Sequence, residues 1–287
     1  DWDFFMVLIT GTDRIQHYMW GDMQDGGEYG DAIKDYYRHL DPKIKQLVEK
    51  AGDDTTVFVI SDHGFGRLKR RVHINWWLRD EGYLKLKDTS ENRKSLWTIK
   101  ISGFLKKTGL SEVIRKIMVL LGRDAGSVRP PTLEVDFDKT TAYTCGYYTG
   151  QIYINPNLGD AEYLRVRNEL IQKLKEFRDP ENNQKVIKEI YTKKQAYDTG
   201  YTREAPDILM VYNTNYWVVG SFSYPWLFED TFRETGAHEM EGVLIAWGGK
   251  VTPGTQRNAY LRDMAPTILK LYDLPEDMDG EPILGIG

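Results

Sequence analysis

Cysteine is almost absent from this chain: Cys145 stands alone among 287 residues. A single thiol excludes an internal disulfide framework and any cysteine-rich zinc module. It suits a reducing compartment, so the cytoplasm is the expected location, although a secreted protein without disulfides is equally allowed. Long apolar runs are missing too. None approaches the ~20 residues of a membrane-spanning helix, and the longest, such as Phe4 to Ile9, are strand-sized. Positive charge is not in excess: 38 Lys and Arg face 43 Asp and Glu, for a formal net charge of −5. A nucleic-acid polymer, which asks for a basic surface, is therefore not an expected partner. Histidine is scarce as well, with five in all, so the position of each one is informative.

What is present describes a packed protein. Hydrophobic residues make up 41% and charged residues 28%, the balance of a folded domain rather than a disordered tail. The length allows one large α/β domain or a domain with a substantial insertion. The 18 Tyr, 10 Phe and 8 Trp fit both interior packing and aromatic-walled clefts. The chain opens Asp1-Trp2-Asp3 and passes at once into the apolar run Phe4–Ile9. A fully buried strand has sheet neighbours on both sides, so this opening reads as the middle of a domain. The chain is accordingly expected to be a fragment or a processed product, truncated at its N-terminus.

Three short runs, Phe4–Ile9, Val57–Ile60 and Val243–Trp247, read as core strands, with a fourth at Ile208–Tyr212. Each is rich in β-branched or aromatic residues and bounded by Gly, Asp or Thr. Between the first two, residues 31–51 carry Ile44, Leu47 and Val48 at helical spacing, with Gly52 as a stop signal. Strand, helix, strand at this spacing is a βαβ unit, which predicts an α/β fold with a mainly parallel sheet flanked by helices.

From about residue 86 to 205 the rhythm changes. Residues 92–121 read as one or two amphipathic helices, with Trp97, Ile101 and Leu105, then Val113, Ile117 and Leu120, on one face. Pro130-Pro131 breaks the pattern. A strand pair (141–144 and 151–154), a helix (161–177) and a strand (186–191) follow. The expected organisation is a core part over 1–85, an inserted α+β lid subdomain over 86–205, and a return to the core over 206–287.

Three of the five histidines sit in metal-ready contexts. In Asp13-Arg14-Ile15-Gln16-His17, one helical turn puts the carboxylate and the imidazole on one face. Ser61-Asp62-His63-Gly64-Phe65-Gly66 ends an apolar strand, and Gly236-Ala237-His238 precedes another. Carboxylate plus imidazole suits zinc, and also manganese or iron. Each piece alone has an ordinary reading, as a surface pair, a strand-end turn or a loop histidine. Five ligands are too few for two closed sites and fit one three-ligand site beside one two-ligand site. His39 and His73 lack such a context and read as surface residues.

Taken in order, the three motifs resemble the alkaline phosphatase superfamily, most closely its type I phosphodiesterase/nucleotide pyrophosphatase branch. Further stretches carry the likeness: Ile74-Asn75-Trp76-Trp77-Leu78 with Gly82-Tyr83-Leu84, Thr141-Ala142-Tyr143, Gly150–Asn155, Ala205-Pro206-Asp207-Ile208, Asp263–Leu269 and Met278-Asp279-Gly280. The resemblance implies two divalent metal ions: Asp13, His17 and His238 would hold the first, Asp62 and His63 the second. It also implies a further carboxylate ligand and a Thr or Ser nucleophile, both expected upstream of Asp1. Thr10 and Thr12 read as turn residues rather than substitutes for that nucleophile.

The implied activity is metal-dependent hydrolysis of phosphodiester or nucleotide pyrophosphate bonds, with a small phosphate ester or nucleotide as substrate. This piece alone would then be inactive, with its second site incomplete. The resemblance leaves other superfamily activities open (phosphomonoesterase, phosphoglycerate mutase, sulfatase), as well as a catalytically inactive metal-binding fragment. Tyr147 and Tyr148 are candidates to line the cleft beside substrate. The Asp263–Leu271 stretch reads as structural, with an acid and a proline opening a helix.

Overall fold

A computed structural model describes residues 2–110, 133–146, 150–197, 202–222, 224, 226–230, 233–254 and 258–283, without the side chains of 106 and 107. The chain forms two compact units. One comprises Asp1–Arg67 and Arg233–Gly287; the other is continuous from Leu68 to Phe232.

The first unit opens with two helices, α1 (Gly11–Asp25) and α2 (Ala32–Ala51). Helix α2 ends at Gly52, whose φ of 83° favours a residue without Cβ. Strand β1 (Val57–Ile60) follows, then β2 (Gly64–His73), whose first four residues belong to this unit. After the second unit the chain returns with β9 (Gly236–Glu239), β10 (Leu244–Trp247) and α7 (Met264–Leu271). β1 pairs with β10 antiparallel, and β2 pairs with β9 antiparallel with Phe65 opposite His238.

At α7 the Asp263 carboxylate accepts the backbone N–H groups of Tyr260 (2.8 Å) and Glu281 (3.2 Å). The Thr267 hydroxyl donates to Asp263 O and accepts from Ile283 N–H. Met264 and Ile283 pack there against Phe58, Ala246, Val251 and Leu271. The structural reading of this motif fits what is seen.

The second unit holds the rest of β2, α3 (Ile74–Asp80), α4 (Ser90–Lys107), β3 (Ala142–Tyr143), β4 (Gln151–Ile154) and α5 (Asp160–Lys175). It continues with β5 (Ile187–Thr192), α6 (Lys193–Ala196), β6 (Ile208–Tyr212), β7 (Asn215–Val219) and β8 (Phe228–Glu229). Strands β3-β4-β6-β5 form an antiparallel sheet, and β2 lies between β7 and β8. Val166, Leu170 and Leu174 recur at helical spacing on α5, all buried, in one core with Ile152, Ile154, Ile208, Leu78 and Leu84. That spacing is why 160–175 forms a helix with one inward stripe.

Three expectations need correction. The sheets are not mainly parallel: of seven strand pairings among the described residues, β2 with β7 is parallel and the others are antiparallel. Residues 4–9 are not a buried strand. Phe4, Phe5, Met6, Val7 and Leu8 are 53–80% exposed, and no described strand pairs with them. An apolar run states an appetite for burial, but a strand exists only where a neighbour supplies the ladder.

The inward face of α4 is also different: Asn92, Leu96, Ile99 and Gly103 are the more buried positions, while Trp97 is 70% exposed. The Asn92 side chain settles the rotation, donating to Lys87 O and Glu134 O and accepting from Glu134 N–H. The second half of that expected helical stretch, with Val113, Ile117 and Leu120, lies outside the described residues.

The α5 stripe should carry much of the second unit's stability. Leu170→Ala is expected to cost about 2–5 kcal/mol, the range for a fully buried leucine. Urea denaturation measures it; a loss below 1 kcal/mol would contradict the packing described.

Candidate metal centre

The first unit brings the motif residues together. Asp13 and His17 lie one turn apart on α1, in a helix whose first turn carries Asp13 as its acid. His63 sits in the short link between β1 and β2, immediately before the residue that opens β2. His238 is in β9, a strand residue rather than a loop residue, opposite Phe65 of β2.

Asp13 Oδ1 is the common point. It lies 3.2 Å from His238 Nε2, 3.5 Å from His17 Nε2 and 3.7 Å from His63 Nε2. His17 Nε2 and His238 Nε2 are 3.1 Å apart. Asp62 joins through its Oδ1, 3.5 Å from His63 Nε2, with its side chain 77% exposed. Asp13, His63 and His238 have the spacing to share one cation.

The hydrogen bonds set the ring tautomers. His17 Nδ1 is 3.0 Å from Gly236 O, and His63 Nδ1 is 3.0 Å from Gly64 O. A carbonyl can only accept, so each Nδ1–H donates there, and each Nε2 faces Asp13. His238 Nε2 holds at most one proton, for Asp13 or for His17. A carboxylate oxygen and three imidazole nitrogens thus meet at one point, a donor set that suits a cation.

Ligand atoms about 2.0–2.2 Å from one tetrahedral ion lie roughly 3.3–3.6 Å from each other, and the Asp13–imidazole spacings bracket that range. The residues therefore fit a divalent metal. Burial holds the His238 ring below the ordinary imidazole pKa, and the neighbouring His63 and His17 rings push the same way.

Phe65 is the apolar wall of the cluster. Its ring meets His17 edge-on at 4.9 Å and His238 at 5.2 Å, and lies 5.4 Å from His63. It restricts how far the imidazoles turn. Phe65 is the central residue of Gly64-Phe65-Gly66, and that flanking was the available signal for it.

The geometry has its counterpart in comparison with known proteins. The family model for type I phosphodiesterase / nucleotide pyrophosphatase matches residues 1–242. The chain belongs to that family. The matched span takes in all five motif residues, from Asp13 to His238. No curated protein and no solved structure matches the chain. The type I phosphodiesterase family thus supplies the reaction class, hydrolysis of phosphodiester or nucleotide pyrophosphate bonds.

Other expected site residues fall differently. Tyr147 and Tyr148 lie outside the described residues. Thr12 Oγ1 donates to Ile9 O and so closes the turn into α1, in keeping with its turn reading. His39 is exposed. His73 is not a surface residue: it is 2% exposed, with Nε2 3.1 Å from Glu229 Oε2 and Nδ1 3.2 Å from Ser221 O. The basic run Lys69-Arg70-Arg71 suggested solvent, but β2 is enclosed between β7 and β8 there, so charged residues are buried with partners.

The depressed His238 pKa has a pH consequence for the metal-free chain. The folded ring takes up a proton less readily than the unfolded chain does, so stability is expected to fall as pH drops through the ordinary imidazole range. NMR titration should show the His238 midpoint below the ordinary imidazole value. A midpoint at or above that value would contradict the burial described for this ring.

Proposed function

We propose that this chain carries the metal centre of a phosphodiester or nucleotide pyrophosphate hydrolase that uses two divalent ions. The observation that carries this reading is the convergence of imidazole Nε2 atoms on Asp13 Oδ1, in a chain of the type I phosphodiesterase family. Asp13, His17 and His238 would hold one ion; Asp62 and His63 would contribute to the other. The family resemblance carries this division; Asp13, His63 and His238 are also close enough to share one ion, and the His63 and His238 rings stack with centroids 3.6 Å apart.

Zinc is the ion that this ligand set suits best, with manganese or iron as alternatives. Such ions supply Lewis-acid stabilisation of the charge that develops on phosphoryl oxygens. The residues do the rest of what is argued. The carbonyls of Gly236 and Gly64 keep His17 and His63 in the tautomer that presents Nε2. Asp13 supplies a carboxylate at the shared point, and Phe65 forms an apolar wall beside it.

Chelation is expected to abolish hydrolysis of bis(p-nitrophenyl) phosphate by the active enzyme, and zinc or manganese to restore it. Asp13→Asn should weaken zinc binding to the chain about tenfold or more, since it removes the shared carboxylate charge. Calorimetric titration reads the affinity. Undiminished activity in metal-free, folded enzyme would sink the two-ion reading.

A further inference from the structure

We propose that Thr235 is a positioning residue for the metal centre, splicing the strand that bears His238 into the turn of α1 that bears His17. This rests on the metal-site reading above.

Thr235 precedes β9 by one residue, and all of its polar groups engage α1 or Arg67. Its N–H donates to His17 O at 2.6 Å. Its hydroxyl accepts from Gly21 N–H at 2.9 Å and donates to Tyr18 O at 2.9 Å. Its carbonyl accepts from Arg67 Nη1 at 3.2 Å, and Arg67 Nη2 reaches Asp25 at 2.7 Å, the last residue of α1. In a regular helix, the N–H of residue 21 and the C=O of residue 17 are each other's partners. Here each of them meets Thr235, so the threonine enters the helix ladder at the His17 turn.

The space around it is consistent with a built contact. A Cβ on Gly21 would lie 2.9 Å from Thr235 Cβ, and one on Gly236 would lie 2.9 Å from Trp20 Cβ. Helix and strand therefore approach at a distance that side chains at those two positions would forbid. The next carbonyl, Gly236 O, then accepts a hydrogen bond from His17 Nδ1–H. His17 is held through its backbone by Thr235 and through its ring by Gly236. The 3.1 Å approach of His17 Nε2 to His238 Nε2 follows from these bonds.

Partners that orient metal ligands from behind are worth about 10- to 100-fold in affinity. Valine matches threonine in shape but neither donates nor accepts; serine keeps the hydroxyl. Calorimetric titration of zinc into the purified chain is expected to show Thr235→Val binding about 10- to 100-fold more weakly than wild type, with Thr235→Ser close to wild type. Thr267→Val serves as the control for general destabilisation. It removes a hydroxyl that bridges Asp263 O and Ile283 N in the same unit, and should lower the melting temperature without changing zinc affinity.

Wild-type affinity in Thr235→Val, or an equal loss in Thr267→Val, overturns the inference alone. A wild-type chain that binds no zinc overturns the metal reading and the inference with it. Should Thr235→Val fail to fold, hydrogen exchange on the wild type decides: zinc should slow exchange at the Gly21 and Thr235 amides more than at the Ile283 amide, and equal protection overturns the proposal.

Discussion

Helix α1 lies against β9 at backbone distance, and the cluster of Asp13, His17 and His238 depends on that contact. Asp13 and His17 are fixed relative to each other by one turn of helix, and His238 is fixed to Phe65 by the β2–β9 ladder. Neither constraint joins the two pairs. The joint is the seam of residues 235–236 on α1, where Gly21 and Gly236 leave out the side chains that would hold helix and strand apart. Moving α1 by the width of one methyl group would open the cluster around Asp13.

The cluster is also electrostatically dense. Two imidazoles donate their Nδ1–H groups to backbone carbonyls and turn Nε2 toward a carboxylate and a third imidazole. Burial disfavours the protonated form of that third ring, His238, and lowers its pKa. A cation at the shared point would meet oxygen and nitrogen donors together.

The second unit uses the same physical language for a different end. Arg70, 8% exposed, is enclosed by Asp230, Asp179 and Glu181, and Tyr216 donates to Asp179. Burial alone would make this guanidinium easier to deprotonate, but the bonds and charges of the two aspartates outweigh it and raise its pKa. Asn75 ties Thr144 to Gly220 through three hydrogen bonds. Asp207 accepts from Ile154 N–H and Tyr163 Oη–H and pairs with Lys193. These are satisfied buried polar groups that specify which strands and loops meet.

The sequence by itself determined much of the local structure: α2 with its Gly52 stop, the β3–β4 pair, α5, and β6 at its observed limits. Each rests on periodicity and turn chemistry between near neighbours. It also determined the candidate ligands, because carboxylate and imidazole at helix and strand ends are visible as residue types, and their order pointed to the family. Tertiary structure alone decided strand direction, since β1 pairs with a strand from the far end of the chain. It decided the exposure of residues 4–8, the enclosure of His73 and the rotation of α4, for burial depends on which neighbour arrives. And it decided the contacts of Thr235, whose three helix partners lie more than 200 residues away in sequence. Composition and periodicity report what a segment can do; which distant backbone it meets is set only when the whole unit packs.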